Sequence, residues 1–599
     1  MNIKQIVILN MKNDRGILMS AKKRIPWECL EPYRGKVFSG EWPTFPELIQ
    51  ISVERFGDRP CFTDFTGPDD SKNTITYNQM YEKVLVLSNW MLSAGIRKGD
   101  KIAVTGKNSP EWAIVYIATF FAGGIIIPID NGLHEFEAVN LISSAEPKMI
   151  FTDDDKKYFF RETFQEIPVY SLQPSEKDNY VLNLKFDGNA EPNEPVSEND
   201  TAAILFTSGT TGNPKGVMLS HRNLISDCFI AQLNLEIFET DVFYALLPIH
   251  HAYTMQAAFI NPLSVGAEIV FGKSMAVSRL AKELHEGKIT IMLGVPLLYN
   301  KFMAGITKGI EAKGKMISGF MNFLGGFSYF CKKVFNFNPG KKLFKPVLEK
   351  ANIYTLRVAI CGGGPLSPQI FKKFNEMGID FIQGYGLTET SPIITLNPID
   401  HFKVESVGRD FYPYEEIKII DIEKYSFPNE RPIGEIVVKG PMIMQGYYNM
   451  REETAKMFTE DGFFRTGDLG WMDSEHYIML CGRAKNMIVT GGGKNVYPEE
   501  IEDLFLMYPN VQQIVVQGYE TDRGEEIEAL IYPSDSVFQD LGLVREKSWD
   551  SPEVEKVIKA DVESVNRNLQ PFARITRTTI ISEPLEQTTT MKVKRNYKK

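Results

Sequence analysis

Cysteine is scarce. The 599 residues hold six, Cys29, Cys61, Cys228, Cys331, Cys361 and Cys481, with no two in a C-x-x-C pair. That excludes a disulfide framework and a thiolate zinc site, and leaves thiols expected to be buried and inert. Internal repeats and low-complexity tracts are lacking too, so solenoids, rods and disordered chains drop out. Positive charge is in deficit: 66 Lys+Arg stand against 76 Asp+Glu, a net −10. Such a surface suits phosphate backbones badly, and no nucleic-acid partner is expected. Long unbroken apolar runs are missing as well. The N-terminus offers only the four residues 6–9, too short for a signal core. The most apolar stretch, 112–129, is broken by Gly123-Gly124 and Pro128 into a helix and a short strand over 125–129. It reads as a soluble core and not as a bilayer span, which points to the cytoplasm.

What is present is a chain too long for one ordinary domain of ~100–200 residues. Residues 1–45 are turn-rich and read as a peripheral arm. Apolar residues then recur at helical spacing over 45–56. From there helices (77–94) alternate with strands (101–104, 148–152, 202–206) as far as about 480, which argues for α/β layers. Residues 415–439 read as paired strands with a turn at Pro428-Asn429. Past 483 the pattern resets. Pro498 opens a helix with Ile501, Leu504 and Phe505 inward. Strands follow at 511–517 and 527–532. Ser551-Pro552-Glu553 caps a helix whose Val554, Ile558, Val562, Val565 and Leu569 share a face. The chain thus divides into a large α/β body, 1–482, and a small α+β unit, 483–599.

The densest chemical signal is ILFTSGTTGNPKGVMLS over 204–220. An apolar strand enters a loop in which Thr207, Ser208, Thr210, Thr211 and Lys215 supply donors. Gly209, Gly212 and Gly216 let the backbone expose its N–H groups. Such a loop suits a polyphosphate, although the Walker spacing fails. It resembles the phosphate-binding motif of the adenylate-forming superfamily, which includes acyl-CoA synthetases, luciferases and the adenylation domains of peptide synthetases. Further segments resemble that superfamily in its own order: Gly384-Tyr385-Gly386-Leu387-Thr388-Glu389-Thr390, then Thr466-Gly467-Asp468 and Gly482-Arg483, then the run from Gly493 to Glu502. The resemblance covers roughly 45–599.

The resemblance implies ATP, Mg2+ and coenzyme A as co-substrates, and an architecture of α/β sheets and a distorted β-barrel with a mobile C-terminal cap. It also implies roles. Glu389 would hold Mg2+, since a hard cation wants carboxylate oxygen. Thr388 would donate to the α-phosphate. Tyr385, after Gly384 and before Gly386, would lie on the adenine, with Gly362, Gly363 and Gly364 leaving room on the other side. Asp468 would take the ribose hydroxyls beside Arg483. His251, in Leu247-Pro248-Ile249-His250-His251, would stand at the mouth of the acyl pocket. Lys592 would be the C-terminal catalytic lysine; Lys594 is the other candidate, because Met591 replaces the family glycine. Arg595, Lys598 and Lys599 read as a solvated basic tail. Lys485 would be the hinge, and Gly493 would line the coenzyme A channel after rotation.

The activity so implied is conversion of a carboxylic acid to acyl-AMP, then to a thioester. Residues 246–262 carry Met, Phe and Tyr but no carboxylate, which argues against an amino-acid substrate. Residues 312–348 hold seven lysines, seven phenylalanines and no acid. Lysines interleaved with aromatics suit an anionic membrane surface. The expectation is a long-chain fatty acyl-CoA synthetase in reversible contact with the inner face of a membrane. The alternatives are a medium-chain or aryl acid–CoA ligase, transfer to a carrier-protein thiol, and a catalytically idle lipid-binding scaffold on the same fold.

Overall fold

The computed structural model describes residues 25–207, 214–364, 366–426, 431–522, 524–587, 593 and 595. Two large sheets form the body. The seven-stranded sheet centres on the strands Lys101–Thr105, Ile125–Ile129 and Thr201–Thr207. The eight-stranded sheet is parallel through Glu268–Phe271, Val242–Ala245, Ile291–Gly294, Val358–Cys361 and Asp380–Gly386. Parallel strands buried on both faces need continuous apolar runs, and Met149–Thr152, Ile291–Gly294 and Val358–Cys361 are buried throughout.

The apolar stretch breaks where its glycines fall. The helix Pro110–Phe121, capped by Ser109 accepting from Trp112 N, ends before Gly123 at φ +74°, and the strand Ile125–Ile129 follows. Both lie in the core. Among the described residues no helix is long and apolar enough to cross a membrane.

A four-stranded antiparallel sheet, Glu416–Ile420, Gly434–Lys439, Phe464–Met472 and Ile478–Arg483, completes the body. The expected turn at Pro428-Asn429 lies outside the described residues. The C-terminal unit packs the helices Pro498–Phe505 and Pro552–Asn566 on the strands Val511–Thr521, Gly524–Pro533 and Arg577–Ile580. Ser551 caps the second helix as expected, accepting from Val554 N.

Four expectations need correction. The segment ahead of Phe45 is no peripheral arm where it is described: Leu30, Phe38 and Trp42 are buried, and Trp42 stacks on Phe229 at 6.0 Å. Leu504 is exposed, whereas Ile501 and Phe505, four residues apart on the same helix, are buried. Arg595 is not solvated: its guanidinium meets the Glu502 carboxylate at 2.6 Å. The basic segment is also less basic in effect than its composition. Lys332 is buried on Asp380 at 2.6 Å, Lys333 donates to Phe402 O, and Lys341 donates to Leu356 O.

The helix Lys315–Phe335 is inside out. Met316, Phe320, Phe323, Phe327, Phe330 and Val334 recur at alternating steps of four and three, which puts them on one face. That face is exposed, with Phe323 at 70% and Phe320 at 60%. The opposite face buries Ser328, Cys331 and Lys332.

Candidate active site

Strand ends and turns from the two large sheets and the antiparallel sheet bring the motifs together. Thr207 and Lys215 are partners across the hairpin Thr201–Thr207/Lys215–Ser220. The strands on either side of the phosphate-type loop are therefore antiparallel neighbours. Its Ser208, Gly209, Thr210, Thr211 and Gly212 lie outside the described residues, as do Lys592 and Lys594.

Asp468 is the hub of one cluster. Thr466 fixes it locally, accepting from Asp468 N at 3.0 Å while donating to Ile436 O. One carboxylate oxygen meets Arg483 Nε at 2.7 Å; the other accepts from the Tyr385 hydroxyl at 2.7 Å. Burial, and then the Asp468 charge, push the Tyr385 phenol well up, so it remains a donor. Tyr385 is the penultimate residue of the strand Asp380–Gly386. At Gly386 a Cβ would fall 1.6 Å from Pro392 O, so no side chain fits.

Glu389 is the hub of the second. It sits in the short turn Thr388–Thr390, and its carboxylate accepts from the Tyr447 hydroxyl at 2.8 Å. Tyr447 in turn pairs with Val217 of the phosphate-loop hairpin, and Lys215 Nζ lies 4.8 Å from its ring centre. Burial, with Glu389 beside it, raises the Tyr447 phenol too. A carboxylate for a hard cation thus stands beside the lysine of the phosphate loop. A second carboxylate stands where two neighbouring hydroxyls could replace its present donors. This donor set fits a nucleoside triphosphate carried with Mg2+.

The glycine run Gly362-Gly363-Gly364 follows the strand Val358–Cys361. A Cβ on Gly362 would come 2.9 Å from the Tyr253 ring, so the missing side chain makes room for Tyr253. At Gly364 the nearest atom to a Cβ is a Pro296 carbon at 3.6 Å.

His251 and His250 leave the strand Val242–Ala245 on a loop pinned by Asn108. The Asn108 amide donates to Ala245 O and Leu247 O and accepts from Ile249 N. His250 Nε2 lies 3.1 Å from His251 Nε2 and 3.4 Å from Asp130 Oδ1. These three side chains are the one group among the described residues with ligand atoms close enough to share a metal ion. Beyond them the chain runs through a π-helical stretch, Met255–Ile260, with Met255 and Phe259 fully buried. Single π-helical turns are frequent at functional sites.

Lys485 sits in the turn Ala484–Asn486, right after the strand carrying Arg483. Burial, with Arg483 and Arg595 near it, draws its ammonium below the ordinary lysine range. Gly493 sits in a turn held within the C-terminal unit, its N–H on Thr490 O and the Gly491 N–H on Glu525 O.

Tyr447, Asn108 and Asp130 had no signal at the sequence level strong enough to single them out. The Gly446-Tyr447 step is the nearest to one: Gly446 has φ +140°, and a Cβ there would meet Thr454 at 2.7 Å. An obligatory glycine before an aromatic marks a side chain aimed by its turn.

Comparison with known proteins follows the same lines. A family profile described as AMP-binding enzyme matches residues 49–448, and one described as AMP-binding enzyme C-terminal domain matches 485–598. The chain is 28% identical to a chloroplastic long-chain-fatty-acid–[acyl-carrier-protein] ligase of Arabidopsis thaliana, covering 83% of this chain and 77% of the relative. It is 26% identical to a long-chain-fatty-acid–CoA ligase of Bacillus subtilis, covering 82% and 85%. Among solved structures, ATP-bound MatB from Rhodopseudomonas palustris superposes with a TM-score of 0.71 at 25% identity, over 92% of this chain and 98% of that one.

Proposed function

The chain belongs to the AMP-binding enzyme family, and from that premise we propose that it activates a long-chain fatty acid with ATP and passes the acyl group to coenzyme A. At its coarsest this is an AMP-forming acid–thiol ligase, with coenzyme A or a carrier-protein thiol as acceptor. The observation that carries the reading is the convergence of Tyr385, Asp468 and Arg483 in one cluster, and of Glu389, Tyr447 and Lys215 in another.

A carboxylate is a poor electrophile with a poor leaving group, and a mixed anhydride with AMP cures both. An acid oxygen bonds to the α-phosphorus of ATP while the bond to the β-phosphate oxygen breaks and pyrophosphate leaves. The barrier lies in bringing anions together, so positioning and charge do most of the work. Asp468 holds the ribose, Thr388 donates to the α-phosphate, and Lys215 with the Thr207 hairpin faces the outer phosphates. Glu389, its carboxylate aimed by Tyr447, would hold Mg2+, which would supply charge neutralisation. Lys592 approaches from the C-terminal unit. A thiolate then attacks the acyl carbon and AMP departs, after rotation about Lys485 has exchanged Lys592 for the Gly493 turn.

Long-chain acids are supported by the carboxylate-free Met255–Ile260 stretch with its buried Met255 and Phe259, by two of the relatives, and by the inside-out helix. That helix exposes a stripe of phenylalanines, and Lys313, Lys315, Lys342 and Lys345 remain exposed around it. Aromatic residues ringed by lysines match an anionic bilayer, where such acids dissolve. We therefore include peripheral docking through 312–348 in the proposal.

ATP–pyrophosphate exchange over medium-chain, long-chain and aryl acids tests the reading, with thioester formation scored on coenzyme A and on holo carrier protein. Exchange peaking with an aryl acid would replace the substrate. Acceptance of carrier protein alone would replace the acceptor. Absence of exchange with every acid would leave a lipid-binding scaffold.

A further inference from the structure

Among the described residues of the C-terminal tail, Arg595 makes the charged attachment to the rest of its unit. Arg595 Nη2 lies 2.6 Å from Glu502 Oε2 and 3.3 Å from Glu499 Oε1, while its other amino group donates to Val516 O at 2.9 Å. Glu499 and Glu502 are one turn apart on the helix Pro498–Phe505, so they share a face. Two half-buried carboxylates held close together are stabilised by a cation between them, and a forked guanidinium serves both at once. Glu502 is tied further, accepting from Val516 N at 2.7 Å. Two residues before Arg595, Val593 bridges to Gln587 and packs on a cluster with Val515, Leu530 and Tyr532.

The same Glu499 reaches the hinge. Its Oε1 accepts from Asn486 Nδ2 at 2.6 Å, and Asn486 closes the turn Ala484–Asn486. Its Oε2 lies 2.3 Å from where a Cβ on Gly482 would sit, so glycine there lets the carboxylate press on the strand that enters the hinge. One carboxylate thus touches the segment ahead of the hinge, the hinge turn and the tail.

We propose that Arg595 is a positioning residue, which through Glu499 and Glu502 fixes the register of the tail and couples it to the hinge turn. The inference rests on the ligase reading for its consequence, because Lys592 lies three residues before Arg595 in sequence. A lysine that must reach the α-phosphate in only one domain pose needs a tail that does not slide. The latch also ties tail to hinge, since any change at Asn486 disturbs the carboxylate that Arg595 grips.

The test uses the full chain with Arg595→Met, which keeps the stem and removes the fork, and Arg595→Lys, which restores charge alone. In hydrogen exchange without substrates, the amides of Leu585, Gln587 and Val593 should lose protection in Arg595→Met while the strand Val511–Thr521 keeps its own. In single turnovers adenylation should fall about 100-fold, the scale of a small misplacement, while thioester formation from supplied acyl-AMP changes by less than about twofold. Arg595→Lys should recover part of the adenylation. Unchanged tail exchange, or equal loss of both half-reactions, overturns the proposal. If Arg595→Met does not fold, Glu502→Gln is read by the same two assays. A wild type that fails to adenylate any acid counts against the ligase reading, and the exchange data still decide the latch.

Discussion

Asp468 and Arg483 face each other as partners across an antiparallel ladder, with the guanidinium Nε 2.7 Å from the carboxylate. The strand register therefore sets this pair. A ribose diol would take the place that Tyr385 holds on the other oxygen. Asp468→Asn keeps the shape and removes the charge, so AMP affinity should drop ~10–100-fold, the worth of one or two charge-assisted bonds. Titration calorimetry with AMP reads it; unchanged affinity would remove Asp468 from the nucleotide site.

Tyr447 aims Glu389 through a single hydrogen bond of 2.8 Å. Tyr447→Phe deletes that bond and little else. The Mg2+ concentration needed for half-maximal pyrophosphate exchange should rise by about tenfold, since partners of a ligating carboxylate tune metal affinity on that scale. An unshifted Mg2+ curve would show that the carboxylate is aimed without it.

Most of the architecture was legible because it is written in periodicity. The Pro110–Phe121 helix, the Ile125–Ile129 strand and the Ser551 cap fall where spacing and capping rules put them. Residues that the structure gathers into clusters were legible where a motif is contiguous, as at Thr388-Glu389 or Thr466-Gly467-Asp468. Partnerships across long separations were not. Nothing near Glu389 in sequence names Tyr447, and nothing near Arg595 names Glu502. Composition misled where burial depends on a distant partner. Lys332 counts as surface charge in a sum, yet Asp380 and Asn375 take it inside.

Docking through the inside-out helix should depend more on its rings than on its charge. With Lys332, Lys333 and Lys341 engaged by the protein, salt should weaken vesicle binding only in part. Replacing Phe320, Phe323 and Phe327 by Ser removes three exposed rings and should abolish sedimentation with anionic vesicles while ATP–pyrophosphate exchange on a water-soluble acid persists. Full binding by the triple variant would place membrane contact elsewhere.

Burial on the helix Pro498–Phe505, with Glu499 and Glu500 beside it, pushes the Asp503 carboxyl up to about 7. One of its oxygens is buried without a hydrogen-bond partner among the described residues. A folded-state pKa above the unfolded value means that the native state binds the extra proton. Stability from this group is therefore greatest below pH ~4 and is lost as pH rises through about 7. Asp503→Asn removes the titration. Its stability relative to wild type should improve between pH 5 and pH 8 by on the order of 2 kcal/mol. Hydrogen exchange in the strand Val511–Thr521 reads the difference, and a pH-independent difference would refute the assignment.

The proposed rotation of the C-terminal unit would have a physical cost at one seam. Tyr497 donates to Tyr425 O at 2.6 Å, and both rings pack in one cluster with Leu469 and Cys481. A turn about Lys485 must open that seam and change the backbone of Ala484–Asn486, as hinges do over a few residues. Proline at 485 fixes its own φ and pushes Ala484 toward extended backbone. Lys485→Pro should keep pyrophosphate exchange within a few-fold and slow thioester formation from supplied acyl-AMP by ~100-fold or more. Lys592→Ala should do the reverse, because the proposed role of its ammonium belongs to the first step alone. Single-turnover assays of each half-reaction separate the two variants. If Lys485→Pro carries out both steps at wild-type rate, the hinge is another residue; if Lys592→Ala loses both equally, the lysine does not belong to the first step alone.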